Sequence, residues 1–241
     1  FLVCLLLAVA VHAVSILLAK ICLRGRDATC GILQFGTVFS NCGFMGYPLM
    51  LALLGSIGVF YGSAYVVVFT VLSWTAGIYM ITHDAGNLQV KHILLNPGVL
   101  SVVVAMVLYL LAVRLPEIVM TPLNYLANMN TPLPTIVVGY QLSHANFSTA
   151  FSDRRSWLAL ALRLAVVPLV TIGLCWVFRV DSAVALVTVI AASTPPAALL
   201  SMFAQKFGGD TKLASSVVSV FTALSVLTIP PVVGLAQYLM G

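Results

Sequence analysis

Long apolar stretches alternate with short polar breaks along the whole chain. The stretches lack the period-two alternation of a half-buried strand, and they are long enough for helices that cross a bilayer, which takes ~20 residues. There are eight of them, at residues 1–19, 29–54, 57–81, 93–113, 118–142, 157–178, 183–204 and 213–239. The pattern therefore predicts an all-α membrane protein with about eight spans.

Composition excludes a soluble fold. Hydrophobic residues make up 61% of the 241 residues and charged residues only 7%, whereas soluble domains carry roughly 25% charged residues. In lipid, backbone groups must pair internally, and helices with unbroken apolar runs meet that requirement. Because the first run begins at Phe1 without a basic leader, we interpret it as a span and not as a signal peptide, and expect the chain to be part of a longer protein.

The basic residues predict the orientation. Cytoplasmic loops of membrane proteins collect Lys and Arg, and alternate loops here hold eight of them against two in the loops opposite. The larger set is Lys20, Arg24, Arg26, Lys91, Arg154, Arg155, Lys206 and Lys212, and the smaller set is Arg114 and Arg179. Both ends of the chain are therefore expected outside a plasma or bacterial inner membrane. Nucleic acid is excluded as a partner because the basic residues form no single patch.

Two of the apolar runs contain small polar residues and proline. The second run holds Ser40–Pro48 and the seventh holds Ala192–Ala197. Proline removes a backbone donor and glycine loosens a helix, so both helices are expected to break locally. By the orientation predicted from the basic loops, the two runs span the membrane in opposite directions, and they lie five spans apart. This spacing favours inverted five-helix repeats, of which spans four to eight form one, and two further helices are expected before Phe1, for ten in all.

A broken helix presents free N–H groups and the positive end of its dipole, which suit a carboxylate. Asn41 and Thr194 add neutral polar side chains beside these breaks. All six acidic residues lie in loops or at span edges, so no carboxylate is expected at membrane depth to bind sodium or relay a proton. The substrate-binding candidates are Asn41, Gly43, Gly46, Pro48, Asn130, Thr131, Gln141, Arg163, Thr194, Pro195 and Pro196.

Several of these candidates have a second interpretation. Pro48 and Pro195 could be ordinary kinks, and Asn41 could satisfy a neighbouring carbonyl. Residues Asn130, Thr131 and Gln141 either line a cavity or form hydrogen bonds between helices.

One charged residue, Arg163, and one histidine, His12, fall well within spans. Arg163 could attract an organic anion, bind a structural partner or extend to the interface. His12 could carry a proton or have a structural role.

Several motifs occur in an order that resembles the auxin efflux carrier family. The resemblance covers about residues 30–232. The motifs are Asn41–Leu49, Leu95–Gly98, Asn130–Pro134, Val138–Leu142, Arg163 with Pro168, Ser193–Ala197 and Ala204–Gly208. The pair Pro195 and Pro196 only approximates the version of that segment in the plant exporters of the family.

The resemblance implies a fold similar to sodium/proton antiporters and bile-acid carriers, in which two broken helices cross at their prolines. It implies a transport domain made of residues 1–92 and 143–241, and a scaffold at residues 93–142 that supports a homodimer.

The function expected from these features is secondary transport of a small organic anion, such as a malate-like dicarboxylate or an auxin-like carboxylate. Two alternatives remain, namely sodium-coupled uptake of a bile-acid-like anion and a membrane sensor or scaffold that transports nothing. We expect no enzymatic activity, because the spans supply only scattered serines and His12, which has no partner acid. Neither a cofactor nor a metal is expected, since no pair of the five cysteines has metal-ligand spacing. No ATP-binding motif supports ATP-driven transport.

Overall fold

The computed structural model describes residues 1–84, 97–129, 132–143 and 146–240, and its regular elements there are helices. In chain order these are α1 (Leu2–Cys22), α2 (Ala28–Val38), α3 (Tyr47–Leu72), α4 (Ile78–Thr82), α5 (Pro97–Leu110), α6 (Glu117–Asn128), α7 (Pro132–Ser143), α8 (Phe147–Ala150), α9 (Arg155–Ala161), α10 (Val167–Val177), α11 (Ser182–Ser193), α12 (Leu199–Lys206) and α13 (Thr211–Met240). Three π-helical turns extend them: Cys42–Gly46 leads into α3, Ser73–Gly77 joins α3 to α4, and Leu162–Val166 joins α9 to α10.

Four helical stretches of the described chain are long and apolar enough to cross a membrane. They are Leu2–Cys22, Cys42–Thr82, Arg155–Val177 and Thr211–Met240. This confirms an all-α membrane protein. These four stretches are fewer than the eight apolar runs for three reasons. The end of the second run is joined to the third run in Cys42–Thr82, and the seventh run is interrupted between α11 and α12. The fourth and fifth runs fall on the shorter helices α5, α6 and α7.

The stretch Cys42–Thr82 turns back on itself at Gly55, which has a φ of 62°. The limbs on either side pack closely, because a Cβ atom built on Gly58 would lie 2.5 Å from the carbonyl oxygen of Met50. One built on Gly62 would lie 2.4 Å from the sulfur of Met50. Glycines four residues apart allow this approach of two helices. The turn coincides with the predicted boundary between the second and third apolar runs.

The buried core surrounds the two short helices α2 and α11. All residues of α2 from Cys30 to Val38 are buried, and so are nine of the twelve residues of α11. Two clusters of buried apolar side chains fill the space around them. One is built mainly from α2, α4, α12 and α13, and the other from α1, α3 and α11. In contrast, α6 has no buried residue.

An ion-pair cluster joins two loops at one end of the molecule. Arg155 donates to both carboxylate oxygens of Asp27 at 2.8 and 2.7 Å, and to Asp153 at 2.7–3.1 Å. The hydrogen bonds from Arg155 lower the pKa of Asp27 to about 2 and also lower the pKa of Asp153. Asp27 precedes α2, and Asp153 precedes α9, so the cluster ties the start of one broken span to the start of another helix.

We expect Arg155→Ala to lower the thermal stability of the purified protein by a small amount, because partly exposed pairs contribute ~0.2–1 kcal/mol each. A carboxyl group with a depressed folded-state pKa stabilises the fold above its unfolded pKa, ~3.9 for Asp. That contribution is lost as the pH falls through the folded value, about 2 for Asp27. The difference in melting temperature between wild type and Arg155→Ala should be constant from neutral pH to about 4.5 and shrink below that. The exposed neighbour Arg154→Ala is the control, and a difference that persists undiminished at pH 2 would contradict the assignment.

We expect Gly58→Ala to destabilise the packing of the two limbs of Cys42–Thr82, because the added methyl group would overlap the carbonyl oxygen of Met50. Overpacking of this kind costs ~1–3 kcal/mol. The matched control is Gly173→Ala in α10, where a Cβ atom meets nothing within 4 Å and alanine favours the helix. Thermal unfolding in detergent should show a lowered midpoint for Gly58→Ala and an unchanged or raised one for Gly173→Ala. Equal midpoints for the two variants would argue against the close packing.

Candidate functional site

The two interrupted helices meet where each stops. After α2 the backbone becomes extended at Phe39, and after α11 it becomes extended at Thr194. Ser40 and Pro196 form an isolated antiparallel bridge between the two segments. These residues, from Phe39 to Asn41 and from Thr194 to Ala198, are called the crossing below.

Backbone hydrogen bonds close the crossing. The N–H of Asn41 donates to the carbonyl of Pro195 at 2.7 Å, and the N–H of Ala197 donates to the carbonyl of Phe39 at 2.9 Å. Proline can occupy this segment because it has no N–H to satisfy. The two breaks therefore satisfy each other's backbone groups in place of the missing helical bonds.

The prolines lie at the crossing in one helix but not in the other. Pro195 and Pro196 are within it and buried. Pro48 lies in the first turn of α3, beyond the π-helical turn that follows Asn41. The expectation that both helices cross at their prolines is therefore corrected for the first helix, which breaks before Pro48. Because the π-helical turn Cys42–Gly46 leads into α3 without a break, Pro48 lies inside the helix that begins at the crossing.

Arg163 is fully buried and binds the ends of both short helices. Its Nε donates to the carbonyl of Thr194 at 3.0 Å, and one terminal nitrogen donates to Thr37 and Val38 at 3.1 and 3.3 Å. The other terminal nitrogen donates to the carbonyl of Ala192. The last carbonyls of a helix have no partner within it, so the guanidinium satisfies four such groups from α2 and α11.

The charge of Arg163 also matches that of the helix ends. The C-terminus of a helix carries roughly −0.5 elementary charge, and two such ends meet here. A guanidinium stays protonated in proteins and supplies one positive charge. Of the three interpretations of Arg163, the geometry fits the structural partner. Its N–H groups are directed at backbone carbonyls, and Arg163 itself belongs to the π-helical turn Leu162–Val166.

Acidic side chains lie at the outer helix N-termini but not at the crossing. Asp181 accepts from the N–H groups of Ala183 and Val184, and Asp210 accepts from Leu213. Asp27 precedes α2, Asp153 accepts from the N–H of Arg155, and Glu117 is in the first turn of α6. At the crossing, the turn leading into α3 and the start of α12 have no side-chain cap. The positive ends of these two helices are therefore not neutralised by any of these carboxylates.

Asn41 has an unused donor at the crossing. The residue is 4% exposed, and its side-chain Nδ2 has no hydrogen-bond partner among the residues that the structure describes. Its backbone carbonyl accepts from both Met45 and Gly46. The hydroxyl of Thr194, by contrast, donates to the carbonyl of Ala191 at 2.9 Å. Asn41 thus has a free donor group, whereas the hydroxyl hydrogen of Thr194 is committed within its own segment.

The glycines of the first break differ in their surroundings. A Cβ atom on Gly43 would meet no described residue within 4 Å, and the next residue, Phe44, is exposed. Gly46 is buried, and a Cβ atom there would lie 3.4 Å from Met50. Among the described residues, the start of α3 therefore leaves space beside Gly43.

His12 lies beside the crossing and is fully buried. Its Nδ1 is 2.7 Å from the carbonyl oxygen of Ala8, and its Nε2 has no partner in the part of the chain that the structure describes. Its ring packs 5.0 Å from that of Tyr65 and 6.0 Å from that of Phe39, measured between centroids. The sequence identifies His12 as a candidate, but it does not show that the His12 ring packs near the ring of Phe39.

The span-five candidates are only partly visible. Asn130 and Thr131 lie outside the described residues, and for Gln141 the structure describes the backbone, which belongs to α7. Helix α7 contacts the turn Cys42–Gly46 and α13. It therefore lies next to the open start of α3.

The crossing is closed in this conformation. Ser40 and Thr194 are fully buried. A groove of about 690 Å³ opens instead near Arg179 and Asp181, at the beginning of α11. The crossing is at the end of α11, about 18 Å away by the rise of a helix. The groove is therefore a separate feature.

Comparisons with known proteins agree with this architecture. A family model described as membrane transport protein matches residues 1–233. An uncharacterized transporter of Methanothermobacter thermautotrophicus is 29% identical over 86% of this chain and 68% of its own length. An uncharacterized transporter of Methanocaldococcus jannaschii is 25% identical over 95% of this chain and 74% of its own length. The chain is therefore an integral membrane protein that belongs to the membrane transport protein family, the family of the auxin efflux carriers.

Proposed function

We propose that this transporter carries small organic anions and binds their carboxylate at the crossing. The proposed substrates are malate-like dicarboxylates or auxin-like carboxylates. The observation that carries the proposal is the unpartnered Nδ2 of Asn41, buried beside the positive ends of α3 and α12.

Electrostatics favour an anion over a cation at this place. The negative ends of α2 and α11 are neutralised by Arg163, whereas the positive ends of α3 and α12 are left without a carboxylate. The first N–H groups of a helix have no acceptor within it, and together with the dipole they form an anion-binding site. A carboxylate would accept from these N–H groups and from Asn41, with the open space at Gly43 as its point of entry.

Binding must be accompanied by a conformational change, because the crossing is buried. We propose that residues 1–92 and 143–241 move as a transport domain against a scaffold at residues 93–142, in an elevator-like or rocking motion. In support, the buried clusters are drawn from the proposed transport domain, whereas α6 of the scaffold has no buried residue. Its exposed apolar side chains, such as Ile118, Tyr125 and Leu126, suit lipid or a second copy of the chain in a homodimer.

The proposed orientation places both ends of this chain outside the plasma membrane. The loop residues Asp27 and Arg155 support it in one respect, because both belong to loops assigned to the inner side and they contact each other. Loops on opposite sides of a bilayer could not form this contact across a hydrocarbon core ~30 Å thick.

We expect Asn41→Ala to reduce the uptake of radiolabelled malate or indole-3-acetate into proteoliposomes by at least tenfold for whichever acid the wild type transports. The loss of one hydrogen-bond donor to a charged group, ~1.5–3 kcal/mol, supports this size. Asn41→Asp should abolish uptake by repelling the carboxylate. The control is Asn124→Ala on the exposed surface of α6.

Three outcomes would redirect the proposal. Unchanged uptake by Asn41→Ala would remove the crossing as the binding site. Uptake that requires sodium would favour a sodium-coupled carrier of bile-acid-like anions. Absence of uptake of any organic acid by the full-length protein would favour a membrane sensor or scaffold.

A further inference from the structure

Carbonyl groups at the ends of broken helices are a cation-binding arrangement. In secondary transporters with interrupted helices, unwound carbonyls and half-helix C-termini coordinate the coupling ion. In this chain the equivalent groups accept from one side chain, since the carbonyls of Thr37, Val38, Ala192 and Thr194 all bind Arg163. We propose that Arg163 is a tethered cation that takes the place of a bound metal ion and fixes the geometry of the anion site.

The chemistry of arginine suits this position. Its planar guanidinium offers five N–H donors in a fixed arrangement, and all three of its nitrogens are used here. A guanidinium is also more weakly hydrated than an ammonium group and is preferred for buried charge. A lysine would offer a compact charge with three donors on a flexible chain. Lysine would therefore keep the charge but not the four-carbonyl geometry.

The contacts of Arg163 determine where the anion-binding groups lie. Val38 is followed by the extended segment that ends at Asn41, and the N–H of Asn41 donates to Pro195, the residue after Thr194. By holding Val38 and Thr194 together, Arg163 positions Asn41 and the starts of α3 and α12. Arg163 is thus a positioning residue, and its own donors face carbonyls and not the anion.

A tethered cation does not dissociate during turnover. Because the carbonyl ends already have their positive charge, no metal ion has to bind or leave with the substrate. Transport by the wild type should therefore be the same in sodium, potassium or N-methylglucamine buffers.

The first test measures stability and needs no substrate. Arg163→Ala should unfold at a lower temperature than the wild type in detergent, because four buried carbonyls lose their donors. Millimolar guanidinium chloride should raise the melting temperature of this variant by filling the vacated position, whereas sodium chloride at equal ionic strength should not. The control is Arg154→Ala, which removes an exposed arginine and leaves no buried position for guanidinium to fill, so guanidinium should not raise its melting temperature. A melting temperature of Arg163→Ala equal to that of the wild type would overturn the proposal.

The second test measures transport and rests on the proposed function. Arg163→Ala should reduce malate or indole-3-acetate uptake at least tenfold, and millimolar guanidinium should restore a measurable part of it. If Arg163→Ala does not fold, Arg163→Lys provides the readout. It should retain transport with a raised KM for the anion, because the charge stays while the position of Asn41 shifts.

The outcomes separate the two proposals. Failure of the wild type to transport either acid would count against the proposed function, and the guanidinium effect on stability would still decide the role of Arg163. Equal rescue by sodium and guanidinium, or a wild-type flux that depends on sodium, would overturn the tethered-cation role.

Discussion

The guanidinium of Arg163 binds the last carbonyl groups of two helices that end inside the protein, and this contact makes the interruption of both helices possible. A helix that stops away from water leaves four carbonyls without partners, and each unsatisfied polar group in an apolar interior is costly. Here one side chain satisfies carbonyls from both α2 and α11, and the backbone bonds between Asn41 and Pro195 and between Phe39 and Ala197 satisfy others. The two breaks are thus one structure and not two independent kinks.

Arg163 neutralises the negative C-terminal ends of α2 and α11, so the positive N-terminal ends of α3 and α12 determine which substrate charge the crossing favours. The chain places carboxylates at the N-termini of outer helices, as Asp181 and Asp210 show, but the helices that begin at the crossing have none. The unpartnered amide of Asn41 lies at the same place. Together these features give the crossing a positive, hydrogen-bond-donating character, which is why an organic anion is the proposed substrate.

Much of this arrangement is visible in the sequence, because apolar runs predict helices and small polar residues with proline predict the two breaks. The exact position of the first break is not visible in the sequence, because the run contains Pro48, and the structure places that proline in α3, beyond the break. The sequence leaves three roles open for Arg163, including the binding of a structural partner, but it does not identify that partner. Its partners are backbone carbonyls, which every residue has, so no side-chain pattern identifies them. The sequence singles out Asn41 as a candidate because it is polar within an apolar run, and its role in binding stays a prediction.

The most direct test of this account is a cryo-EM structure of the full-length transporter with a bound organic anion, at a resolution that shows side chains. The account predicts that the carboxylate contacts Asn41 and the first N–H groups of α3 or α12. The guanidinium of Arg163 should remain on the carbonyls of Thr37, Val38, Ala192 and Thr194. A carboxylate bound directly to Arg163, with the arginine withdrawn from those carbonyls, would contradict it.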